Sequence, residues 1–144
     1  MPINIKNFLL SKNKKSKISD FQDLEHIDGV AISVISANIY KESRDDLVLF
    51  YFRDSANYAS VYTQSKIISE NIRWNLNLKG NSIKALLVNA GNANAFTGKL
   101  GFKGIVQIAE ELSKQLSNKM TEDEEIKNFV KTNELLFAST GTIG

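Results

Sequence analysis

From Gly29 onward, short apolar runs alternate with polar breaks, and the period of each run predicts its element. Val30, Ile32 and Val34 alternate with Ala31, Ser33 and Ile35 in the period-two pattern of a strand. Lys41-Glu42-Ser43-Arg44-Asp45-Asp46 then forms a charged turn, and residues 47–52 are apolar throughout, as expected of a strand buried on both faces. Asp54, Ser55 and Asn57 mark another turn before a third strand over residues 58–63, so the three strands predict an antiparallel meander. In residues 66–79, Ile67, Ile68, Ile72, Trp74, Leu76 and Leu78 fall on mixed spacings that fit either a helix or a strand followed by a helix. After Gly80-Asn81, residues 83–88 read as another buried strand.

The second half has a longer period. Ile105, Ile108, Ala109, Leu112 and Leu116 define one apolar helix face, and Glu110, Glu111, Lys114 and Gln115 lie on the solvated one. Thr121 and Glu124 have capping-box spacing and open a shorter helix that runs to Val130. Leu135-Leu136-Phe137-Ala138 is a short strand that delivers residues 139–144 as a loop. The mixture predicts an α/β (α+β) domain over residues 29–144. Residues 1–28 are polar, with Lys12, Lys14, Lys15 and Lys17 close together, and read as a solvated basic arm with a short helix over residues 5–10.

Composition narrows the chemistry. The 144 residues fit one domain with a real core. Eighteen basic against sixteen acidic residues leave a net charge of +2, which gives no ground for a nucleic-acid or membrane partner. Cysteine is absent, which excludes disulfides, thiolate catalysis and cysteine-ligated metals, and the single histidine, His26, cannot build a His-rich metal site. Met1-Pro2-Ile3-Asn4 does not open a secretory signal, and no apolar run is long enough to span a bilayer, so the expected location is cytoplasmic.

Two polar stretches remain. The first is Asn89-Ala90-Gly91-Asn92-Ala93-Asn94-Ala95-Phe96-Thr97-Gly98, between an apolar run and the long helix. Phosphate-loop readings fail there: the Walker pattern would need Gly at Ala93 and a hydroxyl at Leu100, and the dinucleotide pattern would need Gly at Lys99. The stretch is then either a helix-entry turn capped by Asn92 or Thr97, or a site lining built from Asn89, Asn92 and Asn94. The second stretch is Ser139-Thr140-Gly141-Thr142-Ile143-Gly144. By itself Thr-Gly makes a turn, but a Thr140 hydroxyl beside an unobstructed Gly141 amide also has the makings of an oxyanion hole. No Gly-x-Ser-x-Gly elbow accompanies it, so no nucleophile is evident.

In order and context, Asp45-Asp46-Leu47-Val48-Leu49, Val61-Tyr62-Thr63-Gln64, the Asn/Gly stretch and Ser139-Thr140-Gly141-Thr142-Ile143-Gly144 resemble the ornithine acetyltransferase (glutamate N-acetyltransferase, ArgJ) family of arginine biosynthesis. The resemblance covers about residues 29–144. Ser65, Ala90 and Thr142 depart from the usual Asn, Ser and Val, and residues 118–134 look longer than the family norm. What the resemblance implies is a layered α-β-β-α sandwich and a precursor that cuts itself before a threonine. That threonine, as the new N-terminus of a β chain, takes acetyl from N-acetylornithine and passes it to glutamate, within an α2β2 heterotetramer. No cofactor or metal is implied, though some members take acetyl-CoA as co-substrate. Carried over, Thr140 and Gly141 are the catalytic oxyanion donors. The nucleophile and substrate contacts are then expected beyond Gly144, which makes the chain the N-terminal portion of the α chain and catalytically inert by itself. Two other readings are a self-processing aminopeptidase or amidase of similar fold, and a non-catalytic small-molecule binding module.

Overall fold

The computed structural model describes residues 26–119 and 129–143. The expected helix at residues 5–10, the lysine cluster and the Thr121–Glu124 capping box lie outside the described residues. One four-stranded sheet runs in the order β1 (Val30–Ile35), β2 (Leu47–Asn57), β3 (Ser82–Asn92), β4 (Leu135–Thr142). The first three strands are antiparallel neighbours, and β4 lies parallel to β3. A parallel neighbour requires a crossover, here the long helix α2 (Gly98–Lys119), whereas the short helix α1 (Glu70–Leu76) joins β2 to β3.

The meander is therefore real but uses a different third strand. Residues 58–63 form no strand; Val61 is 98% exposed, and alternation without a surface to bury cannot hold a ladder. The expected turn at Asp54, Ser55 and Asn57 is instead the end of β2, where the register with β3 breaks between Tyr51 and Ala56 and Ser55 takes a φ of 65°. A bulge lets polar residues stay in the strand. The ambiguous segment resolves as α1, started by Ser69, whose hydroxyl accepts the Ile72 N–H at 3.4 Å.

Register sorts the side chains into two faces. One face carries Leu49, Tyr51, Ala85, Leu87, Leu135 and Phe137 under α2, where Ile105 and Ala109 complete the core with Val130. Burying a side chain as completely as Leu135 contributes about 2 kcal/mol. Trp74 of α1 meets Phe137 edge-on at 5.6 Å. Ser113 and Ser117 of α2 bond the carbonyl and N–H of Val130, which anchors the return toward β4. Ile108, placed on the buried helix face by its spacing, is 48% exposed because α2 stands over β3 and β4 and leaves a cleft of about 360 Å³ beside β1 and β2.

The opposite face carries Ile32, Val34, Val48, Phe50, Leu86 and Val88, with no helix against it among the described residues. These side chains are half-buried, so residues 47–52 are not buried on both faces as expected.

Candidate active site

The two polar stretches that lie some forty residues apart in sequence meet side by side. Neither begins as a loop: residues 89–92 and 139–142 are the last residues of β3 and β4, paired in register as Asn89 with Ser139, Ala90 with Thr140, Gly91 with Gly141 and Asn92 with Thr142. Strands of small residues can approach backbone to backbone, and this pair does so. A Cβ on Gly141 would stand 2.3 Å from the Gly91 carbonyl carbon, and Gly141 takes a φ of 137° that a side chain would strain. Gly91 has a φ of 109° and is backed in turn by Ile39 and Tyr40.

The ladder's alternation decides which groups of β4 are free to act. Ala93 N–H bonds Thr142 O at 2.9 Å, so the even-numbered residues of β4 turn their backbone groups toward β3. The odd-numbered ones turn outward. Leu135 O accepts from Trp74 Nε1 at 3.0 Å, and both backbone groups of Phe137 are met by the Asn75 side-chain amide, at 2.9 and 3.1 Å. Helix α1 thus caps the edge of β4 as far as Phe137. By the same alternation the Gly141 N–H points off the edge beyond that cap. The exposed Thr140 side chain shares the bare sheet face with Val88 and Phe50. Hydroxyl and amide therefore border the corner where the bare face meets the strand edge, near the C-terminal ends of two parallel strands. Ligands of α/β sheets commonly bind at such ends.

The three asparagines spend their side chains on shaping the stretch. Asn89 Nδ2 donates to Asn92 O at 2.8 Å, and Asn92 Oδ1 accepts the Asn94 N–H. Asn94, at a φ of 49°, accepts the Thr97 hydroxyl at 2.6 Å and donates to Asn71 Oδ1 at 3.1 Å. Its carbonyl receives the Glu70 N–H at 2.9 Å, which ties the start of α1 to the stretch. Thr97 stands just before α2 but gives its hydroxyl to Asn94, and neither it nor Asn92 caps that helix with a side-chain bond in this network. Ser139 Oγ closes the network by donating to Ala93 O at 2.7 Å. Phe96, 66% exposed, holds a φ of 63° that costs a bulky residue about 1 kcal/mol or more.

Asp46, which the sequence places at the end of a charged turn, anchors the loop before β2. It is only 3% exposed, and its carboxylate accepts the N–H groups of Ala37 at 2.6 Å, Ile39 at 2.7 Å and Tyr40 at 3.3 Å. Burial pushes its pKa up, but these backbone hydrogen bonds outweigh that push and hold it below the ordinary 3.8. The available signal was an Asp abutting a strand at the end of a turn, the type of residue that accepts turn amides.

Among the described residues no group of three or more His, Cys, Asp and Glu is placed to hold a metal ion, and His26 is exposed, far in sequence from both polar stretches. No helix among them is long and apolar enough to cross a membrane.

The model of the ArgJ family matches residues 31–144. The chain belongs to the ArgJ family. It is 34% identical over 126 residues to the arginine biosynthesis bifunctional protein ArgJ of Bartonella henselae, an alignment that takes in 87% of this chain and 28% of that protein. The chain thus spans a little over a quarter of the length of that relative. Among solved structures, it resembles the ornithine acetyltransferase of Mycobacterium tuberculosis, solved in complex with ornithine. That likeness has a TM-score of 0.72 at 28% identity and covers 81% of this chain and 58% of that one. The fold is also that of the ArgJ protein from Bacillus halodurans, with a TM-score of 0.64 at 23% identity over 81% of this chain and 56% of the other. The ArgJ family, expected from the four motifs and their order, and the α+β fold, expected from the mixture of strands and helices, are thereby borne out.

Proposed function

We propose that residues 29–144 are the oxyanion-hole portion of a bifunctional glutamate N-acetyltransferase and ornithine acetyltransferase of arginine biosynthesis. The observation that carries this reading is the placement of Thr140 and Gly141: an exposed hydroxyl on the bare face, and an amide directed off the strand edge with Gly91 closed up behind it.

In this reading a threonine from outside residues 1–144 attacks the acetyl carbonyl of N-acetylornithine, with its own α-amine taking the proton. The carbonyl oxygen becomes an oxyanion that receives hydrogen bonds from the Thr140 hydroxyl and the Gly141 N–H. Ornithine leaves with the proton, and an acetyl-threonine ester remains. The glutamate amine attacks that ester through a second oxyanion in the same hole; the acyl C–O bond breaks, the amine's proton passes by way of the threonine α-amine to the threonine oxygen, and N-acetylglutamate departs. Acetyl-CoA can stand in as acetyl donor, and no cofactor is required. The second sheet of the family's α-β-β-α sandwich covers the face that carries Phe50 and Val88. The threonine is released by self-cleavage at the head of a β chain, in a cytoplasmic α2β2 assembly. Asn89, Asn92 and Asn94 form the wall near the site without a chemical step of their own.

Each oxyanion donor contributes about 3 kcal/mol to transition-state stabilisation. In the complete protein, Thr140→Ala is expected to lower kcat by roughly ten- to a thousand-fold with KM little changed. A large rise in KM at unchanged kcat would sink the oxyanion assignment. Running the same assay with and without glutamate separates acetyl transfer from simple hydrolysis of N-acetylornithine, which an amidase of this fold would carry out in either case.

A further inference from the structure

We infer that Asp46 is a positioning residue for acyl transfer, gripping with its main-chain carbonyl and its carboxylate the two β3 residues that back Thr140 and Gly141. This rests on the oxyanion assignment above.

The carbonyl grip is direct. Asp46 O accepts the Ala90 N–H at 2.8 Å, and Ala90 is the register partner of Thr140. The carboxylate grip runs through the loop that precedes β2. Its three amide bonds, from Ala37, Ile39 and Tyr40, gather that loop around one buried side chain, with Asn38 between them at a φ of 58°. The gathered loop lays Ile39 and Tyr40 on Gly91: a Cβ there would lie 2.8 Å from Ile39 Cγ2 and 3.1 Å from Tyr40 Cε2. The Arg44 guanidinium sits 3.3 Å over the Tyr40 ring, a cation–π contact that steadies it.

Gly91 then bears on Gly141, whose missing Cβ leaves room for only the Gly91 backbone. Two facing glycines at positive φ are the most pliable pair a sheet can contain. An oxyanion donor, by contrast, must be held to within about 0.5 Å of its working position. The Asp46 loop presses on this pair from the β2 side. Asp46 itself is buried and does not reach the corner where substrate would sit, so its influence passes through Ala90 and Gly91.

The test uses the complete acetyltransferase and four variants: Asp46→Asn, Ile39→Ala, Thr140→Ala, and Asp46→Asn combined with Thr140→Ala. Asp46→Asn is expected to lower kcat about ten- to a hundred-fold, with KM changed less than about threefold. Ile39→Ala, at a side chain already 40% exposed, is expected to lower kcat by about three- to tenfold while the thermal midpoint stays put. The double variant should lose less than the product of the single losses, because both act on one oxyanion position. A purely structural Asp46 would shrink the active fraction, and its effect would multiply with that of Thr140→Ala. Such multiplication, or full kcat in Ile39→Ala, overturns the inference, and the Ile39 variant decides the matter even if Asp46→Asn fails to fold. Undiminished turnover in Thr140→Ala would instead overturn the oxyanion reading itself.

Discussion

Gly141 is where a single added atom would meet main chain at each of its nearest contacts. An added Cβ would lie 2.3 Å from the Gly91 carbonyl carbon and 2.6 Å from the Asn92 nitrogen, and main-chain atoms cannot swing aside as a flexible side chain can. Gly141→Ala is therefore expected to part β3 from β4 and destabilise the protein by about 3 kcal/mol or more, read as a fall in the urea midpoint. A change within about 0.5 kcal/mol would show that the strands have slack there. Asp46 carries a different prediction, in pH. Its folded pKa lies below the ordinary 3.8, so the unfolded chain binds the proton more readily than the folded one. The carboxylate thus contributes stability that is present above the ordinary value and lost as pH falls through the depressed one. Asp46→Asn should flatten the decline in thermal midpoint between about pH 5 and pH 2, and an unchanged acid limb would refute the role of those amide bonds.

Among the elements, β4 depends on a helix of seven residues. An edge strand presents a row of unpaired backbone groups, and α1 meets that row through Trp74 and Asn75. The Asn75 amide is matched to it, with one end donating to Phe137 O and the other accepting from Phe137 N. Asn75→Ala would strip both bonds and leave half-buried backbone groups bare, at a cost of about 2 kcal/mol. Trp74→Phe would remove only the bond to Leu135 O and keep most of the ring packing on Phe137, for about 1 kcal/mol. Urea unfolding of the two variants should rank them in that order, and the reverse order would mean that α1 is held by packing rather than by capping. The helix is also where sequence reading stalled. Ile67, Ile68, Ile72, Trp74, Leu76 and Leu78 fall on mixed spacings because α1 buries the polar Glu70 and Asn71 beside Trp74 and exposes Leu76, so its packed face is only partly apolar.

For the whole molecule, the dominant feature is a sheet that, among the described residues, carries helices on one side only. The face with Val34, Val48, Phe50 and Val88 is apolar and half-buried, with no helix against it among the described residues. Under the proposed function a second sheet covers it and the nucleophile arrives from outside the chain. Purified residues 1–144 should then self-associate in sedimentation and transfer no acetyl group from N-acetylornithine to glutamate. Acetyl transfer by that species alone would contradict the division of labour between this chain and the rest of the enzyme.

Much of the layout was legible in the residues. Strand β1 follows from its period-two alternation, the start of β2 from its apolar run and the body of α2 from its helical period, because each pattern is local to its own segment. The four motifs, in their order, also pointed to the family by resemblance. Period failed at residues 58–63, where alternation met no partner, and at Ile108, whose exposure depends on where α2 lies across the sheet. It failed most instructively at the motifs themselves, read as loops but paired as strands. Register between β3 and β4 is a property of two distant segments, so only the tertiary structure could place Gly91 against Gly141, turn the Gly141 amide to the open edge, and bring Asp46 in behind them.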